Sequence, residues 1–322
     1  MLLVVVEHDR GKLAEASREA LTGARGLASA LGVAVQAVTV GENGDSLADE
    51  VGRFGAGVVH QVHHEMLVDY GPEAWGDAVA QVAVGEGAVA VVASGTDRGN
   101  EVLAHVAALM DQPFAANCLE VSPGSPWEVT RVRWGGSLLE RATIDGAVVL
   151  LTFAHHSVEP VEEPTDVETR VFEPELDASL ARTMVSDRVV LTTGVTLATA
   201  PVVVGGGRGV GSAEGFAPLE ELASLLGGVV GCSRVVTNNG WRPHTDQVGQ
   251  TGTRIAPEIY IACGISGAIQ HWVGAMASKR ILAINTDAEA NMVTKADYAI
   301  IGDLHEVVPA LVEAVKAAKS AG

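Results

Sequence analysis

Residues 259–271 read Ile259-Tyr260-Ile261-Ala262-Cys263-Gly264-Ile265-Ser266-Gly267-Ala268-Ile269-Gln270-His271. An apolar run enters a turn bounded by two glycines, and apolar residues at helical spacing follow it. The stretch therefore predicts a buried strand over 259–262, a tight turn, and a helix over 267–276. Ile269, Trp272, Val273 and Met276 form the expected core stripe of that helix, with Gly267 and His271 on another face. Outward from this unit the same alternation repeats. Strands are expected at 202–204, 229–232, 281–284 and 299–301, and helices at 213–226 and 304–318, which is the pattern of a doubly wound parallel sheet.

The first half alternates similarly, with short apolar runs at 2–6, 33–40, 58–62, 88–93 and 147–153 and helical patterns at 12–31 and 97–110. Between 119 and 152 three successive strands (127–134, 137–143, 147–152) predict antiparallel additions to the sheet. Residues 158–177 carry eight acids, three prolines and one arginine. Such a composition resists helix and buried strand and reads as a surface excursion or linker. The chain is thus expected to be α/β with two domains, each a mostly parallel sheet flanked by helices: residues 1–189 and residues 190–322.

The 322 residues are 48% hydrophobic and carry a net charge of −19, enough apolar content for two cores. Nucleic-acid binding is excluded as an expectation, because phosphate contacts need clustered Lys and Arg. The acid is concentrated in residues 1–189, with twelve basic and twenty-nine acidic side chains. From 190 onward nine basic stand against eleven acidic, so the second half is the better host for an anionic ligand. Cys118, Cys232 and Cys263 form no CxxC pair and suggest a reducing compartment. The opening apolar run is too short for a signal peptide, and no run approaches the ~20 residues that cross a bilayer. A cytoplasmic protein with no direct membrane insertion is expected. His60, His63, His64, His155 and His156 read as surface residues, and no metal site is expected.

Ligands of open parallel sheets bind beyond the carboxyl ends of the strands, where helix N-termini present free N–H groups. In the second half five strands end in polar or glycine-rich residues: Gly205 to Gly209, Ser233-Arg234, Gly264 to Gly267, Asn285-Thr286-Asp287 and Gly302-Asp303. The Gly205 run lacks the dinucleotide spacing of glycines at i, i+2 and i+5. Asp303 with Glu306 fits a capping box, and Ser266 a plain N-cap. Residues 235–257 show no helical or strand period, and loops of that length are expected to act on ligands.

Val248-Gly249-Gln250-Thr251-Gly252, the segment Tyr260 to His271, Ala283-Ile284-Asn285, Ala296-Asp297-Tyr298 and Gly302-Asp303-Leu304 resemble the FAD-binding domain of electron transfer flavoprotein α subunits. The resemblance covers about residues 200–312 and implies a doubly wound, Rossmann-type (DHS-like) fold that holds FAD without a covalent bond. It implies a redox carrier rather than an enzyme, a heterodimer with a β-like subunit contacted by residues 1–189, flavin dehydrogenases as donors, and an acceptor of the electron transfer flavoprotein:quinone oxidoreductase kind. Carried over by position, the cofactor-binding residues are Arg208, Ser233, Arg234, Val248, Gly249, Gln250, Thr251, Ser266, Gly267, Ala268, Ile269, Gln270, His271, Asn285, Asp303 and Leu304. Arg234 is implied to lie over the flavin ring, Thr251 to face N5 and His271 to reach O2. These roles suit the chemistry, because an added electron places negative charge near N1 and C2=O. Other classes left open are a subunit of a flavin-based bifurcating complex, an NAD-dependent oxidoreductase and a non-redox adenine-nucleotide module. No acid/base pair near the turns favours a dehydrogenase.

Overall fold

The computed structural model describes residues 1–185 and 195–321. The chain divides into two compact units, Met1–Trp134 with Leu138–Val190, and Gly135–Ser137 with Leu191–Gly322. The expected boundary near residue 189 lies outside the described residues.

The first unit opens with β1 (Leu2–Val5), the short hairpin of β2 (His8–Asp9) and β3 (Lys12–Leu13), and α1 (Glu15–Leu31). Then come β4 (Val35–Val40), α2 (Ala48–Gly52), β5 (Val58–Val62), α3 (Pro72–Gly85), β6 (Ala90–Gly95) and α4 (Asp97–Met110). The strands β7 (Phe114–Ser122), β8 (Trp127–Arg133), β9 (Leu138–Ile144), β10 (Val149–Ala154) and β11 (Glu168–Phe172) complete it. They form one sheet in the order β11-β5-β4-β1-β6-β10-β7-β8-β9. All four residues of β1 are buried, as expected of a strand covered by helices on both faces. In α1 the buried residues Ala16, Ala20, Leu21, Ala24, Leu27 and Ala28 make one apolar stripe, and Gly32 closes the helix with φ 66°. Thr96 caps α4, its hydroxyl accepting from Gly99 N–H at 2.9 Å.

One expectation for this unit needs correction. The strands β8 and β9 do add in antiparallel fashion, but β10 runs parallel between β6 and β7. All six of its residues are buried, so a continuous apolar strand takes an interior place while the half-exposed hairpin takes the edge. Of the two readings of the acidic stretch 158–177, surface excursion or linker, the structure takes the first. The stretch returns to the first unit, where β11 pairs in parallel with β5 as an exposed edge strand.

The second unit runs β12 (Val202–Gly206), α5 (Ala217–Leu225), β13 (Val229–Cys232), α6 (Arg234–Asn238), β14 (Ile259–Cys263), α7 (Ile269–Ala275), β15 (Ile281–Asn285), α8 (Asn291–Lys295), β16 (Tyr298–Ile301) and α9 (Leu304–Ala321). Its five strands are all parallel, in the order β13-β12-β14-β15-β16. The chain passes from β12 to β13 on one side and then crosses to β14 on the other. The switch point therefore lies between the ends of β12 and β14. The short helices α6 and α8 carried no legible period.

The core stripe expected for residues 267–276 is corrected as well. The helix begins only at Ile269, and His271, Val273, Gly274 and Ala275 are its buried residues, while Ile269 and Met276 are exposed. Its contact decides this: a side chain on Gly274 would collide with the main chain of Gly249, so α7 lies flat on the preceding loop.

Candidate functional site: the cavity at the strand ends of the second unit

At the switch point the turns after β12 and β14 are bonded together. Gly207 N–H donates to Cys263 O at 2.9 Å and Gly209 N–H to Gly264 O at 3.2 Å. A Cβ on Gly207 would lie 2.7 Å from Gly264 C and 2.8 Å from Ile265 Cα, so only glycine permits the approach. The run 205–207 is thus a packing device: Tyr260 lies on Gly205, Phe216 on Gly206, and the neighbouring turn on Gly207. Ser233 N–H reaches Gly206 O at 3.0 Å, and Asn285 Nδ2 donates to Ile265 O at 3.1 Å. Gly302 N–H donates to Asn285 O at 3.0 Å. Each strand end is held by its neighbour.

A cavity of about 700 Å³ opens along this edge. Eleven of the sixteen expected residues line it: Arg208, Ser233, Arg234, Ser266, Gly267, Ala268, Gln270, His271, Asn285, Asp303 and Leu304. Gly209, Gly264, Ile265, Thr286, Asp287 and Gly302, all at the strand ends, join them. Val235, Asn238, Ala290 and His305 also line it and went unnoticed in the sequence, since they sit on α6, before α8 and at the start of α9.

Val248, Gly249, Gln250, Thr251 and Ile269 are not among the lining residues. Val248 is core, 1% exposed. Gln250 N–H donates to Gln270 O at 2.7 Å and Ile255 N–H to Gly274 O at 2.8 Å, which fastens the loop to α7. The buried Gln247 organises it further, donating to Thr251 Oγ1 at 3.0 Å and accepting from Thr237 Oγ1 at 2.9 Å. Inside the loop Gly249 N–H donates to Thr253 O at 3.2 Å and Thr253 N–H to Gln247 O at 2.7 Å, while Val248 N–H reaches Cys232 O of β13 at 2.9 Å.

The capping roles divide. Asp303 Oδ1 accepts from His305 N–H at 2.9 Å, so this carboxylate caps α9. Ser266 is no cap: Ala268 occupies that position of α7, and the Ser266 hydroxyl makes no hydrogen bond among the described residues. The N–H groups of Ser266, Gly267 and Ala268 likewise find no acceptor there. Arg208 and Arg234 are exposed, and neither guanidinium has an ion pair among the described residues. Three free N–H groups, a free hydroxyl and two free cations make a surface for an anion beside an apolar wall.

His271 sits deepest. Its Nε2 lies 2.9 Å from the hydroxyl of Tyr260, which is completely buried, and Nδ1 is buried with no hydrogen bond among the described residues. Burial pushes its pKa down to about 4, with the Val248 main chain opposing in part. The ring is neutral at pH 7, so it meets negative charge as a dipole rather than as a cation.

In the first unit two histidine expectations change. His60 is buried, its Nε2 2.7 Å from Gln36 Oε1, and burial lowers its pKa. His155 and His156 are half-buried and meet Glu19, with donor atoms within 4.8 Å of one another. Their rings stack at 3.7 Å and 23°. His156 Nδ1 lies 3.3 Å from Glu19 Oε1, and Glu19 Oε2 accepts from His156 main-chain N–H at 2.7 Å.

Comparison with known families shows which family the chain belongs to. The family described as "Electron transfer flavoprotein domain" matches residues 2–179, and "Electron transfer flavoprotein FAD-binding domain" matches 196–276. The chain belongs to the electron transfer flavoprotein α-subunit family. It is 34% identical to the electron transfer flavoprotein subunit alpha of Thermoanaerobacterium thermosaccharolyticum, over 98% of each chain. It is 34% identical to that of Bacillus subtilis, over 98% of this chain and 97% of the other, and 35% identical to protein FixB of Bradyrhizobium diazoefficiens, over 98% and 88%. The cofactor of this electron transfer flavoprotein chain is FAD. The residues present fit it: the free N–H groups and guanidinium groups suit a diphosphate, and the buried, unsatisfied Nδ1 of His271 awaits a polar partner. Among the described residues no helix is long and apolar enough to cross a membrane.

Proposed function

We propose that the chain is the FAD-holding α subunit of a heterodimer. It pairs through its first domain with a β-like subunit, and carries electrons from flavin dehydrogenases to a quinone oxidoreductase of the electron transfer flavoprotein kind. The domains are residues 1–189 and 190–322, and the location is the cytoplasm. The observation that carries this reading is the convergence of all five strand ends of the second unit on one cavity, lined by eleven of the sixteen expected residues.

FAD supplies the electron chemistry, and the chain's part is to bind it, orient it and set its electrostatics. Ser266, Gly267 and Ala268 would hold the diphosphate through main-chain N–H groups, with the Ser266 hydroxyl beside them. Arg208 and Arg234 would neutralise charge from the open side. Asn285 keeps the turn of Ile265 in place through its amide. The lining offers no carboxylate–histidine bond of the kind a general base needs, since Asp303 caps α9 and His271 is bonded to Tyr260. We read the protein as a carrier whose electron chemistry belongs to the bound FAD.

The test is co-expression with its β-like subunit, followed by absorbance and cofactor analysis of the purified heterodimer. One FAD per heterodimer bound to this chain is expected, with loss of flavin in a Gly267→Ala variant. A colourless complex, or adenylate alone in the cavity, overturns the reading.

A further inference from the structure

We propose that Tyr260 is a positioning residue: its hydroxyl donates to Nε2 of His271 and fixes the imidazole as the neutral tautomer with its single proton on Nδ1.

The argument is an account of donors and acceptors. Tyr260 is 0% exposed, and the only hydrogen-bond partner of its hydroxyl among the described residues is His271 Nε2, at 2.9 Å. Burial holds the phenol protonated, so one O–H has to find an acceptor. If that O–H points at Nε2, the one unsatisfied group left is Nδ1–H. If instead Nε2 carries the proton and donates to the phenol oxygen, two groups are stranded, the phenol proton and the Nδ1 lone pair, since Nδ1 has no hydrogen-bond partner among the described residues and the Val248 main chain beside the ring favours a proton on it. A doubly protonated ring strands two donors and a charge in a site with little water. The first arrangement leaves the fewest orphans.

The backbone is shaped for this pair. A Cβ at position 205 would lie 2.6 Å from Tyr260 Cε2 and 2.7 Å from Cζ, so Gly205 at the end of β12 makes the space in which the phenol reaches α7. The tautomer itself is independent of the proposed function; its consequence for the cofactor rests on that reading. With Nε2 committed to Tyr260, the ring offers FAD an N–H donor and no positive charge, and the positive charge of the cavity belongs to Arg208 and Arg234.

The test uses the FAD-loaded heterodimer with ¹⁵N-labelled histidine, the His271 signals being assigned by their loss in His271→Gln. The wild type is expected to show a protonated Nδ1 and an unprotonated Nε2 from pH 5.5 to 8. In Tyr260→Phe the ratio of the two tautomers should fall roughly tenfold, the weight of one hydrogen bond, and the first reduction potential should shift with it. A merely structural role for Tyr260 would lower the melting temperature and leave tautomer ratio and potential unmoved. A wild-type ring with its proton on Nε2, or doubly protonated at pH 7, overturns the proposal even if the variant fails to fold. Flavin absorbance of the same sample reports separately on whether FAD is bound.

Discussion

Replacing Gly267 with alanine strains the turn between β14 and α7 in two separate ways. The residue has φ +76°, a conformation that costs a side chain about 1–2 kcal/mol. An added Cβ would also lie 2.8 Å from Met292 Cα and 2.9 Å from Asn291 C, which are main-chain atoms and cannot swing aside. Overpacking of that kind costs roughly 1–3 kcal/mol, so the total is about 2–5 kcal/mol. Gly227 supplies the control. Its φ is +69° with nothing within 4 Å of the added Cβ, and it precedes β13, at the opposite end of the sheet from the cavity. Gly227→Ala should cost the conformational part alone, about 1–2 kcal/mol. At roughly 3–5 °C per kcal/mol for a unit of this size, thermal unfolding of the holo-heterodimer should separate the two variants clearly. FAD titration should show binding weakened at least about tenfold in Gly267→Ala, because the N–H groups of 266–268 move, and unchanged in Gly227→Ala. If Gly267→Ala melts no lower than Gly227→Ala, the reasoning about the turn is refuted.

Arg234→Ala should lower the first reduction potential of bound FAD, with a smaller effect from Arg208→Ala. An exposed cation in a water-like dielectric is worth about 1 kcal/mol at contact distance, hence some tens of millivolts, and spectroelectrochemistry reading equal potentials would discard the assignment. Acid should expose His271. Its ring is held at about 4 in the folded chain against ~6.5 unfolded, so the unfolded state gains protons first as pH falls. Stability attributable to this residue is intact above pH 6.5 and declines between 6.5 and 4 by roughly 3 kcal/mol, levelling off below. Denaturant titrations of His271→Gln should show a shallower decline over that window, and an identical slope would contradict the burial argument.

Strand and helix order was legible along most of the chain because buried parallel strands and amphipathic helices write their periods locally. The five strand ends of the second unit, and most of the residues that line the cavity, follow from that order alone. Elsewhere local pattern ran out. The segment 248–251 reads as a ligand-wrapping loop, and its main-chain and hydroxyl groups bond to Cys232, Thr253, Gln270 and Gln247. The helices α6 and α8 are too short to show a period, so Val235, Asn238 and Ala290 could not be placed. Nothing local distinguishes β10, interior and parallel, from the antiparallel hairpin before it.

The sequence by itself determined the alternation of strand and helix, the edge on which a ligand would sit and the glycines needed there, since each depends on neighbours within a few residues. Only the tertiary structure decided which polar groups remain free. A hydroxyl or an imidazole nitrogen is spent or available according to partners beyond its own turn: Tyr260 meets His271 across a strand-to-helix turn, while the Ser266 hydroxyl has no hydrogen bond among the described residues. Hydrogen-bond satisfaction is a property of three-dimensional proximity, and no local pattern encodes it.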